Sequence, residues 1–217
     1  MAVATAYLFM AKITALTRQK KNVDRINVFL DGEFAFGLAE ITAVYLKVGQ
    51  ELSEADIAKL QAADDIEKAR ETALHYIEYR PRSIAEVRKN LRGKDYDEAV
   101  VDQVVNRLAE VGLLDDQKFA AYWVEQRETF KPRSQIALRQ ELTQKGVDRT
   151  IIDQAVDAVD ETAAAQRLAQ KQANRYAHLD EATFRKKMMG YLQRRGFNYG
   201  IIQEVTIAVW EELSAEH

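Results

Sequence analysis

The fold is decided by residues 80–101, which read RPRSIAEVRKNLRGKDYDEAVV. Residues 131–152, KPRSQIALRQELTQKGVDRTII, repeat this pattern at an offset of 51, and both prolines of the chain stand at its second position. A further offset of 50 brings the turn of the pattern to residues 195–198, RGFN. Self-similarity at a fixed period is the signature of a tandem-repeat architecture. The sequence therefore predicts three copies of one unit.

Each copy is predicted to contain three helices. Ser83 caps the middle helix, in which Val87 and Leu91 follow at helical spacing. The turn after it needs a residue that tolerates a positive φ, and Asp95 occupies that place before Asp97 caps the third helix. The matching turn residues in the later copies are Gly146 and Gly196, and the caps there are Ser134, Asp148, Asp180 and Asn198.

Ahead of the repeats, residues 25–37 read RINVFLDGEFAFG. Two alternating runs joined by Asp31-Gly32 predict a β-hairpin, because a type I′ turn needs φ > 0 at both of its central residues. Residues 13–16 are a candidate third strand. A lone hairpin is marginal in water, so its apolar face is expected to dock on a helix around residues 39–46. Ser53 is expected to cap the next helix.

These elements predict a mainly α-helical chain of tandem three-helix repeat modules, preceded by a small N-terminal unit of a β-hairpin and a helix. We place the N-terminal unit at residues 1–62 and the modules at residues 63–114, 115–160 and 161–217. Modules stacked in a row extend a small core from neighbour to neighbour, which favours an elongated body over a sphere.

The composition fits this organisation. The 217 residues include 9 glycines and 2 prolines, too few for the turns of an all-β sandwich or barrel. A hydrophobic fraction of 47% excludes wholesale disorder, and the lack of cysteine excludes disulfides and thiolate metal sites. The N-terminus has no basic region before its apolar run and no window suits a membrane span, so we expect a cytoplasmic protein. Met10 is an alternative start, with residues 1–9 then an unstructured extension.

Positive charge gathers on and around the predicted middle helices, although the net charge is −3. This recurrence favours a surface for a polyanion or an acidic protein. The alternative is ordinary solvated helix faces, with cations near C-termini where the helix dipole favours them. The candidate partner- or DNA-binding residues are Arg82, Arg88, Lys89, Arg92, Lys94, Arg133, Arg139, Lys145, Arg185, Lys186, Lys187, Arg194 and Arg195.

Residue patterns typical of catalysis are missing from the sequence. It has neither a phosphate-binding glycine loop nor a histidine metal motif, and no serine has the context of a nucleophile. We therefore expect no enzyme, no cofactor and no metal site. Trp123 and Trp210 have apolar neighbours at helical spacing and are expected in the core. Tyr79 and Phe130 stand beside the Pro-Arg-Ser segments, where core packing and partner contact are both open.

Four segments together resemble the RecX family of bacterial recombinase regulators. They read RINVFLDGEFAFGL from residue 25, RPRSIAEVRKNL from residue 80, VVNRLAEVGLLDDQKFAAYWVEQR from residue 104 and KPRSQIALRQELTQKGVD from residue 131. The resemblance runs from about Ile13 to Leu213, and its most specific parts are residues 108–119 and 139–148. The chain departs from the family pattern in residues 1–9 and at Asp95, where glycine is common. The third repeat is the most divergent, so its contacts are the least transferable.

The resemblance implies a non-enzymatic modulator of the RecA recombinase that acts in DNA recombination, repair and SOS regulation. Members of the family bind the RecA nucleoprotein filament, usually inhibiting its ATP hydrolysis, strand exchange and extension, and some also bind DNA. The family fold is an elongated, curved array that lies in the groove of the filament, and we expect a monomer here. Two alternatives stay open: a helical-repeat protein that binds single- or double-stranded DNA independently of the recombinase, and a general adaptor scaffold.

Overall fold

The computed structural model describes residues 10–215, in which four strands and ten helices form. The predicted extension at residues 1–9 lies outside the described residues. The chain divides into two compact units: the first runs to Tyr79 and includes Arg88–Arg107, and the second comprises Arg80–Val87 and the chain from Leu108 onward. Between residues 10 and 215, no helix is both long and apolar enough to span a bilayer.

The first unit is built on an antiparallel sheet. Its strands are β1 (Met10–Arg18), β2 (Arg25–Leu30), β3 (Glu33–Ala39) and β4 (Glu51–Ser53), in the order β3-β2-β1-β4. Asp31 (φ 51°) and Gly32 (φ 94°) turn the chain between β2 and β3, which confirms the predicted hairpin. Strand β1 confirms the predicted third strand, whereas β4 is an addition that the sequence did not indicate.

The apolar face of the sheet packs on helices, as a marginal hairpin requires. Helix α1 (Glu40–Ala43) lies where docking was expected, and helix α2 (Glu54–Glu78) contributes Ile57 and Leu60 to the same cluster. The buried residues of this cluster are Ile13, Val28, Leu38, Ala43 and Leu52. Ser53 caps α2 as predicted, with its hydroxyl accepting from the backbone N–H of Asp56.

A buried carboxylate, Asp64, ties α2 to the sheet. It accepts hydrogen bonds from the Ala39 backbone N–H at 2.7 Å and from Arg25 Nη2 at 2.8 Å, and Lys68 Nζ lies 2.9 Å away. Burial alone raises the pKa of Asp64, but the hydrogen bonds from Arg25, Lys68 and Ala39 outweigh it and leave this pKa below its ordinary value. Asp64 therefore stays ionised and paired at neutral pH.

Two further helices, α3 (Ile84–Arg92) and α4 (Glu98–Glu110), span the division of the chain into units. The turn between them contains Asp95 with φ 61°, as predicted. Within the first unit, the hydroxyl of Tyr96 in this turn lies 3.1 Å from that of Thr72 in α2. The middle helix and third helix of the first repeat thus form at the predicted places.

The second unit holds the other two repeats, whose helices are α5 (Asp116–Phe130), α6 (Gln135–Gln144), α7 (Arg149–Val156), α8 (Glu161–Tyr176), α9 (Glu181–Gln193) and α10 (Tyr199–Ala215). The predicted caps are confirmed, because side-chain oxygens of Ser134, Asp148, Asp180 and Asn198 accept from backbone N–H groups two or three residues on. Gly146 (φ 73°) and Gly196 (φ 89°) occupy the predicted turns. Tandem three-helix modules behind a small sheet are therefore confirmed.

Each repeat of the second unit has its own core. Phe119, Leu138 and Ile152 represent the α5–α7 core, and Phe184 and Leu192 represent the α8–α10 core. Trp123 and Trp210 are partly buried and pack against these cores, as predicted. The predicted break between residues 62 and 63 falls inside α2, and the division into four domains stays a prediction.

Candidate partner-binding surface

The candidate cations lie on the middle helices and in the turns that follow them. Arg88, Lys89 and Arg92 belong to α3, Arg139 to α6, and residues 185–187 to α9. Lys94, Lys145, Arg194 and Arg195 follow the ends of these helices, and Arg82 and Arg133 precede them. The structure then divides these cations by what they contact.

In the first repeat, two arginines are neutralised within the molecule. Arg88 forms a salt bridge with Asp102, and Arg92 forms one with Glu98. The hydrogen bond from Arg92 lowers the pKa of Glu98 below its ordinary value, so the pair stays charged on both sides. Lys89 and Lys94 are exposed, and neither pairs with an acid among residues 10–215. Free positive charge on this repeat therefore comes from the two lysines.

In the second repeat, all the candidate cations are paired. Arg139 pairs with Asp157 and, at 3.3 Å, with Asp153. Arg133 Nε lies 3.6 Å from Glu141 Oε1. Lys145, the third candidate cation of this repeat, pairs with Glu86.

Lys145 belongs to a contact between successive repeats inside the second unit. Its Nζ lies 2.6 Å from Glu86 Oε1, and its backbone carbonyl accepts a hydrogen bond from the Ser83 hydroxyl at 2.6 Å. Glu86 also accepts from Arg80 Nη2 at 2.9 Å. Burial would raise the pKa of Glu86, but hydrogen bonds from Arg80 and Lys145 lower it to about 2. Lys145 is thus a structural cation rather than a free one.

The turn beside Lys145 fits against the same segment. Gly146 has φ 73°, and a Cβ built on it would overlap the Cβ of Ala85. Only glycine satisfies both the positive φ and the close approach. The Pro-Arg-Ser segment therefore serves as a helix cap and as a docking edge for the next repeat.

The same joint recurs one repeat later. The Ser134 backbone N–H donates to the Arg195 carbonyl at 3.2 Å, and Arg133 Nη1 lies 3.4 Å from the Arg194 carbonyl. A Cβ on Gly196 would lie 2.6 Å from Ser134 Oγ. We call this recurring contact, between Ser83 or Ser134 and the Gly146 or Gly196 turn, the repeat joint.

Trp123 lies beside the first repeat joint between two cations. Arg127 Cζ is 4.7 Å and Lys145 Nζ is 5.0 Å from the centroid of its ring. Its indole N–H donates to Glu141 Oε2 at 2.9 Å, which also accepts from Arg127 Nε. Arg127, Lys145 and Glu141 are therefore all engaged in contacts within the molecule.

In the third repeat, Arg185 pairs with Glu181 at 2.5 Å, but its neighbours do not pair with acids. Lys186, Lys187 and Arg194 are exposed, and none of them has an acidic partner among the described residues. Arg195 stacks on Tyr191, with Cζ 3.7 Å from the ring centroid, and donates to the Tyr191 carbonyl. Among the three repeats, the third has the largest group of unpaired candidate cations within residues 10–215.

Sequence reasoning missed one group of cations and left one question open. Arg167, Lys171 and Arg175 lie on α8, the first helix of the third repeat, whereas the predicted candidates lie on and around the middle helices. Their spacing of four residues was the signal that marks one helix face. Tyr79 and Phe130 are 72% and 68% exposed, which places both on the surface rather than in the core.

The described residues show no group of three or more histidine, aspartate or glutamate side chains arranged to hold a metal ion.

Family models cover most of the chain. Residues 11–53 match the model of the RecX regulatory protein N-terminal domain. Residues 69–108, 115–156 and 160–206 match the models of the first, second and third RecX three-helix domains.

Individual relatives extend the likeness. The chain is 33% identical over 198 residues to the regulatory protein RecX of Bacillus subtilis (strain 168), an alignment that covers 89% of this chain and 75% of the relative. It is 33% identical over 203 residues to that of Clostridium botulinum (strain Eklund 17B / Type B), covering 90% of this chain and 95% of the relative.

Solved structures agree with the sequence relatives. A crystal structure of the regulatory protein RecX superposes with a TM-score of 0.70 at 30% identity, covering 90% of this chain and 98% of that one. RecX from Lactobacillus salivarius gives a TM-score of 0.58 at 29% identity, covering 70% of this chain and 99% of that one.

Proposed function

The chain belongs to the RecX family of regulatory proteins, and from that premise we propose that it binds the RecA nucleoprotein filament and restrains it. The expected effects are inhibition of ATP hydrolysis, strand exchange and filament extension, in DNA recombination, repair and SOS regulation. The protein acts without catalysis or cofactor, as a monomer in the cytoplasm.

One observation carries the proposal at the level of residues: Lys89 and Lys94 in the first repeat, and Lys186, Lys187 and Arg194 in the third, are exposed and have no acidic partner among residues 10–215. Unpaired cations on or just after the middle helices of two repeats suit a partner that is itself a repeating assembly with acidic surface or DNA. A protein that bridges neighbouring subunits resists the rearrangements that hydrolysis and strand exchange require.

The paired cations suit this role less well. Charge reversal at Arg88 or Arg92 would also break a salt bridge to Asp102 or Glu98, so its effect would mix folding with binding. Lys89 and Lys94 separate the two effects, because neither has an acid to lose within the described range. Substitutions of Lys89 and Lys94 are therefore the ones that test binding without breaking a salt bridge.

The test is the ATPase activity of RecA on single-stranded DNA, titrated with this protein. We expect Lys89→Glu/Lys94→Glu to raise the half-inhibitory concentration about tenfold, because like charge replaces attraction at the contact. The matched control is Lys20→Glu/Lys21→Glu, two exposed lysines between β1 and β2 that are outside the candidate surface.

An unchanged half-inhibitory concentration for Lys89→Glu/Lys94→Glu, or an equal rise for the control, would refute the role of the first repeat. No inhibition by the unmodified chain at any concentration would refute the proposed function itself.

A further inference from the structure

Helix α8 presents a row of cations along one face. Arg167, Lys171 and Arg175 are all exposed and follow each other at four-residue intervals. Residues four apart lie above one another on a helix, about 6 Å apart along its axis. This row does not belong to a middle helix, so the charge predicted on the middle helices does not account for it.

The row borders two clefts that flank the end of α9. The first cleft, of about 490 Å³, is bordered by Phe130, Lys131, Arg133 and Arg195 as well as by Arg167 and Lys171. The second, of about 890 Å³, is bordered by Arg175, Tyr176, Lys186, Lys187 and Arg194. Tyr191 lines both, so the two clefts are neighbours, and we call them together the α8–α9 groove. All of these residues belong to the second unit.

The charged side chains that line the groove are almost all positive. Nine arginine and lysine side chains line it against one carboxylate, Glu128, which lies 3.8 Å from Arg167. Lys171, Arg175, Lys186 and Arg194 have no acidic partner among residues 10–215. Elsewhere on the molecule, Arg88, Arg92 and Arg139 find nearby carboxylates. Arg133 and Arg167 of the groove pair with Glu141 and Glu128, but the cations without an acidic partner outnumber them. A group of neighbouring unpaired cations favours a ligand with several regularly spaced negative charges.

Aromatic side chains distinguish between the possible polyanions. Phe130 borders the groove with 68% of its surface exposed, and Tyr176 and Tyr191 line its wall. An exposed phenyl ring next to cations is the arrangement that stacks an unpaired base while the cations hold the phosphates. An acidic peptide gives Phe130 no such partner, and a duplex keeps its bases stacked inside.

We propose that the α8–α9 groove binds single-stranded nucleic acid, with Lys171, Arg175, Lys186, Lys187 and Arg194 on the phosphates and Phe130 stacked on a base. The proposal rests on the proposed function in part, since the groove shares Arg133, Lys186, Lys187, Arg194 and Arg195 with the candidate surface. It adds α8 and Phe130, and it requires no recombinase.

The experiment measures binding of fluorescein-labelled oligothymidylate to the full chain by anisotropy over a range of salt concentrations, without recombinase. Lys171→Gln/Lys186→Gln/Lys187→Gln is expected to weaken binding about tenfold or more and to reduce the salt slope by about 2, near 0.7 for each phosphate that the protein no longer neutralises. Lys20→Gln/Lys21→Gln/Lys47→Gln removes the same charge from exposed lysines of the first unit and is expected to leave binding nearly unchanged.

A second pair of variants tests stacking. Phe130→Ala is expected to weaken binding of the single strand about fivefold or more and to leave binding of a duplex of the same length unchanged. Tyr79→Ala removes an equally exposed ring at the matching place of the previous repeat and is expected to change neither.

Three patterns of binding would overturn the proposal. The first is equal weakening by the two lysine triples, which would make the charge non-specific. The second is competition by polyglutamate as strong as by unlabelled oligothymidylate, which would assign the groove to an acidic protein. The third is duplex binding as tight as single-strand binding. If the protein inhibits the recombinase but does not bind the oligonucleotide in its absence, the groove assignment is wrong and the proposed function stands. If the protein binds the oligonucleotide but does not inhibit the recombinase, the proposed function is wrong and the groove assignment stands.

Discussion

At the scale of the residue, a cation can stabilise its own protein or remain available to a partner. Lys145 is in the first class, because its Nζ pairs with Glu86 and lies 5.0 Å from the centroid of the Trp123 ring. Lys89, at the surface of the first repeat without an acid among residues 10–215, is in the second class. Sequence position alone assigned both to partner binding, although only contacts across the fold separate them.

The glycine beside Lys145 gives the sharpest test at this scale. Gly146→Ala must adopt φ near 73° and also bring a Cβ into overlap with that of Ala85. We expect it to lower the free energy of unfolding by about 2–5 kcal/mol, the sum of the left-handed backbone cost and overpacking. Urea denaturation followed by circular dichroism measures this loss.

Gly112→Ala is the matched control for Gly146→Ala. Gly112 also lies in the second unit, with φ 74°, but a Cβ there would have nothing within 4 Å. It should lose only the backbone part, about 1–2 kcal/mol. Equal losses for the two variants would mean that the close approach at the repeat joint does not exist in solution.

At the scale of the element, the start of each middle helix does two things at once. The Ser83 hydroxyl accepts from the Glu86 backbone N–H at 3.1 Å, which caps α3, and donates to the Lys145 carbonyl at 2.6 Å, which docks the next repeat. The Ser134 hydroxyl caps α6 in the same way, but among the described residues its hydroxyl donates to no carbonyl. Two buried serines at matching positions thus differ by one hydrogen bond.

This difference predicts unequal costs for two identical substitutions. Ser134→Ala should lower the free energy of unfolding by about 1 kcal/mol, the typical value of an N-cap. Ser83→Ala should lower it by about 2–3 kcal/mol, because it also leaves the Lys145 carbonyl without that donor. Chemical denaturation of both variants provides the comparison, and a loss at Ser83 no larger than at Ser134 would contradict the docking role.

Local chemistry explains which elements the sequence predicts. The Asp31-Gly32 hairpin, the positive φ of Asp95 and the cap at Asp148 depend on a few neighbouring residues, and all three form as expected. Strand β4 is three residues long and exists only because β1 offers an edge, so no local pattern marks it.

Long-range contacts explain what the sequence left out. The Ser83–Lys145 contact joins residues 62 apart, and pairing of Arg88 with Asp102 depends on how α3 meets α4. Both alter which candidate cations are available to a partner. The spacing of four residues marks the α8 row in the sequence, but this row lies outside the middle helices on which the recurring charge was predicted.

At the scale of the whole molecule, the unpaired candidate cations are unequally shared. The first repeat offers Lys89 and Lys94 and the third offers Lys186 and Lys187, whereas in the second repeat Arg133, Arg139 and Lys145 are all paired. The first and third repeats are therefore the expected contacts, and binding through both makes the second contact intramolecular once the first has formed.

Two-site contact predicts how substitutions combine. Lys89→Gln/Lys94→Gln and Lys186→Gln/Lys187→Gln should each raise the half-inhibitory concentration in the RecA ATPase assay about fivefold. The quadruple variant should raise it about 25-fold, because free energies at separate, independent sites add. Lys20→Gln/Lys21→Gln/Lys47→Gln/Lys59→Gln carries the same loss of charge at exposed lysines outside both sets and should inhibit like the unmodified chain. A quadruple variant no weaker than the Lys186→Gln/Lys187→Gln pair would instead confine the contact to the third repeat, because the first repeat would then add no binding free energy of its own.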